Sequence, residues 1–363
     1  MATHNALMDE HAKGVGCDDG PWLRSPSWDL CFLTLSGVLV VIPLMLFELM
    51  GRSAMFINLF VAGVVGGPHM YVTFFRTALD PSFRRQHPLV MVVSGIIPVL
   101  VICCAMWHFQ LLITLFFFWA SIHVLHQITY ILECYDRKQP SGLLRWSKAI
   151  DYAVVLSCLF PLATYKFIHG SFYIGKTPLL YPEVLKTPLV FYAVTAFFVL
   201  ALLSFVIKTV VEVRYRAVHY PKLVLILTTV TLALIITSYS GSQLEIAFQG
   251  FNSWHSFQYM ALTWYLLLLR QPHDPQLAGD PHPGSANKVM SWLNETVEHK
   301  RFWRFFAPNL MLTALALGVI WAVVVLTGIS FERSYYIVVL SVLLLHYFHD
   351  HVLFTQFAEL RRG

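Results

Sequence analysis

The sequence predicts an all-α, polytopic integral membrane bundle of about ten transmembrane helices, and three observations lead there. Apolar residues fall in blocks of about 20, the length a helix needs to cross hydrocarbon. Of the 363 residues, 57% are hydrophobic and 12% charged, about half the charged fraction of an ordinary soluble domain. Basic residues, finally, collect on one side once the spans are laid down.

The spans are expected at approximately 29–50, 54–78, 88–106, 108–135, 150–168, 187–212, 221–240, 244–270, 304–328 and 334–357. Residues 1–28 are polar and lack the basic-then-apolar layout of a cleaved signal peptide. They read as a cytoplasmic tail, so the first span itself directs insertion. Eight spans then fill 29–270. The connection 169–186, with Gly170, Gly175, Pro178 and Pro182, reads as an outer loop with a short re-entrant or hairpin segment. Residues 271–303 start as a Pro/His/Asp-rich turn region and continue from Lys288 as an amphipathic helix suited to the cytoplasmic membrane surface. The last two spans occupy 304–357, and 358–363 form a short tail. With the N-terminus inside, only Arg52, Lys166, Lys176, Lys186 and Arg333 fall outside, while the other 20 of the 25 basic residues fall inside. By the positive-inside rule both termini face the cytoplasm. The six cysteines (Cys17, Cys31, Cys103, Cys104, Cys134, Cys158) show no C-x-x-C spacing and read as free thiols.

Ionisable residues inside spans are costly and usually functional. The last span carries His346, His349, Asp350 and His351. At 100° per residue, His349 lies about 60° to one side of His346 and Asp350 about 40° to the other, while His351 points about 140° away. The fourth span carries His123 and His126 at i, i+3, with Tyr130 and Glu133 continuing that face. In the second span a Gly66-Gly67-Pro68 step, expected to break or kink the helix, precedes His69, and Thr73, Arg76 and Asp80 share its direction. The eighth span carries His255, flanked by Gln258 and Tyr259 as residues able to orient a ligand. By depth, His69, His126 and His349 lie about 10–15 Å from the cytoplasmic end, His123 and His346 one turn deeper, and His255 at about 22 Å. Six histidines from four spans thus share one slab. His108, beside Trp107, reads as an interfacial residue, and the histidines of the tail and connections, His87, His219 and His299 among them, read as solvated.

The expected metal ligands are therefore His69, His123, His126, His255, His346, His349 and Asp350. Tyr130, Glu133, Tyr259, Gln258 and Arg76 are expected as supporting or catalytic groups. The competing reading of each polar residue is hydrogen-bonded glue between helices. Imidazole with carboxylate suits iron, zinc or copper, and haem is the alternative cofactor. Seven donors divide into two sets, which points to about two non-haem iron ions. Iron activating dioxygen on a lipid-soluble substrate accounts for both the histidines and the membrane burial. The expected partners are the bilayer, a hydrophobic small molecule, dioxygen and an electron donor, with no nucleic acid. A haem- or copper-binding sensor or assembly factor is one alternative. A metal or proton transporter is the other, and against it stands the expectation that no polar ladder crosses the outer half.

The Gly67-Pro68-His69 step in an early span, followed by histidines in later spans, resembles the bacterial β-carotene dioxygenases of the bacteriorhodopsin-related-protein family. The resemblance implies a polytopic, His-liganded iron oxygenase; the expected location is a bacterial inner membrane. The family's step continues Gly-Ala-x-Asp after the histidine, whereas this chain reads Met70, Tyr71, Val72 and Thr73, so the carotenoid substrate does not carry over. The membrane fatty-acid desaturases also hold iron with many histidines. Their H-x-x-x-H and H-x-x-H-H boxes are absent here, and the two H-x-x-H pairs are similar only in spacing.

Overall fold

The computed structural model describes residues 20–51, 53–138, 146–170, 172–239, 244–269 and 288–355. It is built of helices: α1 Pro26–Leu49, α2 Ala54–Arg76, α3 Pro88–Trp107, α4 Phe109–Lys138 and α5 Ser147–His169. These are followed by α6 Pro188–Arg214, α7 Tyr220–Tyr239, α8 Leu244–Leu269, α9 Lys288–Glu298, α10 Phe302–Thr327 and α11 Phe331–Leu353. A short helix, Pro81–Gln86, links α2 to α3. Among the described residues nine helices are long and apolar enough to cross a membrane. The remaining long one, α8, carries too many polar residues to pass on hydropathy, although it runs for 26 residues. Residues 1–19 of the N-terminal tail, with Cys17, the whole turn region 271–287 and the tail 358–363 lie outside the described residues.

Local sequence sets the helix ends. Ser25, Ser53, Thr187 and Ser330 cap α1, α2, α6 and α11 by accepting a first-turn amide hydrogen, which satisfies a donor the helix leaves free. Pro26, Pro88 and Pro188 fall in first turns, where a missing N–H costs nothing. Gly328 ends α10 at φ 68°. Within α2 the expected break is instead a π-turn over Ala62–Gly66, and the helix resumes through Pro68. In α1 a π-turn, Leu30–Thr34, is followed by a 3-10 stretch to Val40.

The helices α8 and α11 form the inside of the bundle. The first packs on α1, α2, α4 and α7, the second on α2, α3, α4 and α10. By contrast α3, α6 and α10 leave most of their apolar side chains outward. Two glycines allow close approach: a Cβ at Gly250 would strike the Val40 carbonyl of α1, and one at Gly67 would strike Thr313 of α10.

The two ends of the bundle differ. At one end Asp136 and Asp151 share Lys222 at 2.7 and 3.1 Å, and Asp151 also binds Lys208. Glu133 binds Lys148, Arg137 and Tyr152 there. At the other end β1 (Tyr173–Ile174) and β2 (Thr177–Pro178) form an antiparallel hairpin turning through Gly175 at φ 59°. The amphipathic α9 buries Leu293, and its Trp292 ring lies 6.1 Å from that of Phe75.

Candidate metal centre

Four helices each deliver one histidine to a single buried point: His69 from α2, His123 from α4, His255 from α8 and His346 from α11, with Asp350 one turn beyond His346. Ring centroids lie 4.6 Å apart for His69 and His346, 5.1 Å for His69 and His255, 4.9 Å for His123 and His255, and 5.4 Å for His123 and His346. Two triplets, His69/His255/His346 and His123/His346/Asp350, each hold their donor atoms within 4.8 Å of one another. His123 Nε2 and His346 Nε2 stand 3.6 and 3.3 Å from Asp350 Oδ2. All five residues are at most 4% exposed, so bulk solvent does not reach them.

Hydrogen bonds fix which atoms face inward. His69 Nδ1 donates to the Gly66 carbonyl, with Ser256 Oγ 3.0 Å from the same nitrogen, and this leaves Nε2 bare. Thr73 carries one hydroxyl hydrogen and gives it to Asp350 Oδ1 at 3.0 Å, so it accepts from His346 Nδ1 at 2.5 Å. That leaves His346 Nε2 bare as well. Tyr259 OH donates to the same Asp350 oxygen at 2.6 Å. The remainder is a set of buried atoms without a hydrogen-bond partner: Nε2 of His69, His123 and His346, both ring nitrogens of His255, and Asp350 Oδ2. An unsatisfied buried polar group costs about 1–3 kcal/mol. Interhelical glue would pair such atoms, whereas here they converge unpaired. Such a set of donors could hold a metal ion.

Other expected ligands lie elsewhere. His349 spends Nε2 on Ser94 Oγ and Nδ1 on Thr77 Oγ1, each at 2.7 Å, and so ties α11 to α3 and α2. His126 is half-buried and faces His351 and Phe354, at ring distances of 5.9 and 5.1 Å. Tyr130 stacks on Phe354 at 4.7 Å, and Glu133 belongs to the ion pairs at the charged end. Gln258 binds Gln127 and the Leu33 carbonyl. Of the expected supporting groups, Tyr259 holds a candidate ligand, and Arg76 is buried one turn past Thr73. His219, expected in solvent, is buried beside Tyr135 at a ring distance of 5.6 Å.

A polar ladder also occupies the hairpin half, contrary to the sequence expectation. From Ser256 it runs through Asn252, Gln249 and Asn58 to Glu245, which accepts from the Gly175 amide of the hairpin at 3.1 Å. Its spacing on α8, residues 245, 249, 252 and 256, was readable as one helical face. No protein family, curated protein or solved structure matches this chain.

Proposed function

We propose that the chain is an integral-membrane metalloenzyme in which His69, His123, His255, His346 and Asp350 hold one non-haem iron ion that acts with dioxygen on a lipid-soluble substrate. The observation that carries this reading is the convergence of unpartnered, fully buried nitrogen and carboxylate donors from four helices. One ion replaces the two expected from the sequence. His126 and His349 are engaged elsewhere, and His346, common to both triplets, has only Nε2 to give. The set contains no thiolate, which suits iron, zinc or copper(II) over soft copper(I) sites. When bound, iron supplies dioxygen activation. The chain's own residues position and insulate: Thr73 and Tyr259 orient His346 and Asp350, and the Gly66 carbonyl sets the ring of His69. Burial excludes bulk water.

Metal analysis of purified protein tests this reading. The expected result is about one iron per chain with little zinc or copper, lost in His69→Ala and His346→Ala, with no Soret band. Two irons per chain would restore the dinuclear arrangement, and a metal-free protein would sink the enzyme.

The transporter reading rests on the ladder in the hairpin half. Uptake of iron, zinc or copper into sealed vesicles separates it from an enzyme, which transports none. The ten-span arrangement with both termini cytoplasmic is supported by the 20-to-5 distribution of basic residues.

A further inference from the structure

The ladder has a feature that helix packing alone does not require. Beside it runs a cavity of about 50 Å³, lined on one wall by Asn58, Glu245, Gln249 and Asn252, with His69 at its inner end. At about 10–15 Å³ per water, it has room for about three to five. Much of the remaining lining is apolar and aromatic, Phe248 and Leu340 among it. The hydrogen bonds are close throughout the outer portion: Asn58 Nδ2 donates to Glu245 Oε1 at 2.5 Å, and Gln249 Nε2 donates to Asn58 Oδ1 at 2.6 Å. Inward, Asn252 Nδ2 donates to Gln249 at 3.3 Å, and Ser256 Oγ donates to Asn252 at 3.5 Å. One carboxyl group, Glu245, stands at the hairpin end of this row. Glu332, Tyr335 and Tyr336 of α11 bear on it electrostatically, and the hairpin contributes the Gly175 amide.

We propose that Glu245 is the loading group of a proton path, formed by the Asn58–Gln249–Asn252–Ser256 row and the waters of its cavity, that joins the histidine centre to the hairpin face. Amides relay protons poorly by themselves, but they align waters, and a carboxylate takes a proton from solvent and returns it. In one cycle a proton from the hairpin side protonates the Glu245 carboxylate. The carboxyl group then releases that proton to the cavity waters, and one proton leaves them at the inner end beside His69. Glu245 is restored as carboxylate. The endpoint rests on the metal-centre reading, because a site that reduces dioxygen consumes protons; the path rests on the row and cavity alone.

Two measurements on metal-free protein test the path, so they can fail while the metal centre stands, and the reverse. In sealed vesicles, Asn252→Cys is exposed to silver ions from the hairpin side and its blockage is read by peptide mass spectrometry. The expected rate is at least about tenfold above that of Leu225→Cys, a core position reached only by local opening. Equal rates overturn the aqueous path. Infrared difference spectra supply the second measurement on the unmutated row. Lowering pH on the hairpin side is expected to raise a carboxylic-acid C=O band that is missing in Glu245→Gln, a substitution that keeps the bond from Asn58. A spectrum identical in the two proteins, or one that follows only the pH of the charged side, overturns the loading role.

Discussion

Thr73 sits at the point where two candidate ligands are held by one hydroxyl, since His346 gives it a hydrogen and Asp350 receives one. Thr73→Val keeps the volume and removes both bonds. It is expected to lower metal affinity about 10–100-fold, the usual effect of losing such a support, while Thr73→Ser retains it; competition with a chelator measures both. His349→Ala makes the opposite prediction. Its nitrogens bond Ser94 and Thr77, so metal content stays and thermal stability falls. His219 gives a pH prediction: burial first, then the neighbouring Lys222 ammonium, pushes its imidazole down to about 4. Between about 4 and 6.5 the unfolded chain therefore binds the extra proton, and stability falls as pH drops through that window. His219→Gln is expected to flatten this slope in thermal unfolding scans, with no difference from the parent above pH about 7. At this scale the sequence pointed to the five side chains that converge, His69, His123, His255, His346 and Asp350, because intramembrane ionisable groups are rare. It was misleading for His349, because helical phase alone does not say that α3 offers Ser94 on that side of α11. His126 shared a face with His123 by spacing, yet the neighbour on its own side is Phe354.

Helix α2 carries the most demanding geometry, since a π-turn, a proline and His69 follow within eight residues. Gly67 lets α10 press against this segment, as an added methyl would meet both Thr313 and the Ala62 carbonyl. Gly67→Ala is expected to destabilise the protein by about 1–3 kcal/mol, the usual cost of overpacking. It should also lower metal occupancy through the displaced His69. Thermal unfolding and metal content, read on the same sample, check the two effects together. Helix positions were legible because hydropathy and caps mark them locally. The π-turn was not, because it depends on tertiary contacts. The face of α8 that bears Glu245, Gln249, Asn252 and Ser256 has a plain helical spacing, but amides and hydroxyls at that spacing are equally common as interhelical hydrogen-bonding groups.

For the molecule as a whole, the distribution of basic residues predicts that a reporter joined after Gly363 is inaccessible to impermeant reagents in intact cells. Labelling from outside would reverse the assignment of the hairpin and charged ends. The four histidines are separated by up to 277 positions in the chain, from His69 to His346. During synthesis the cluster therefore cannot assemble until α11, which bears His346, has followed α2, α4 and α8 out of the ribosome. Earlier stages leave three imidazoles without their fourth companion and without the only carboxylate. An ion held as proposed is therefore loaded only after the helix bearing His346 and Asp350 has joined the other three.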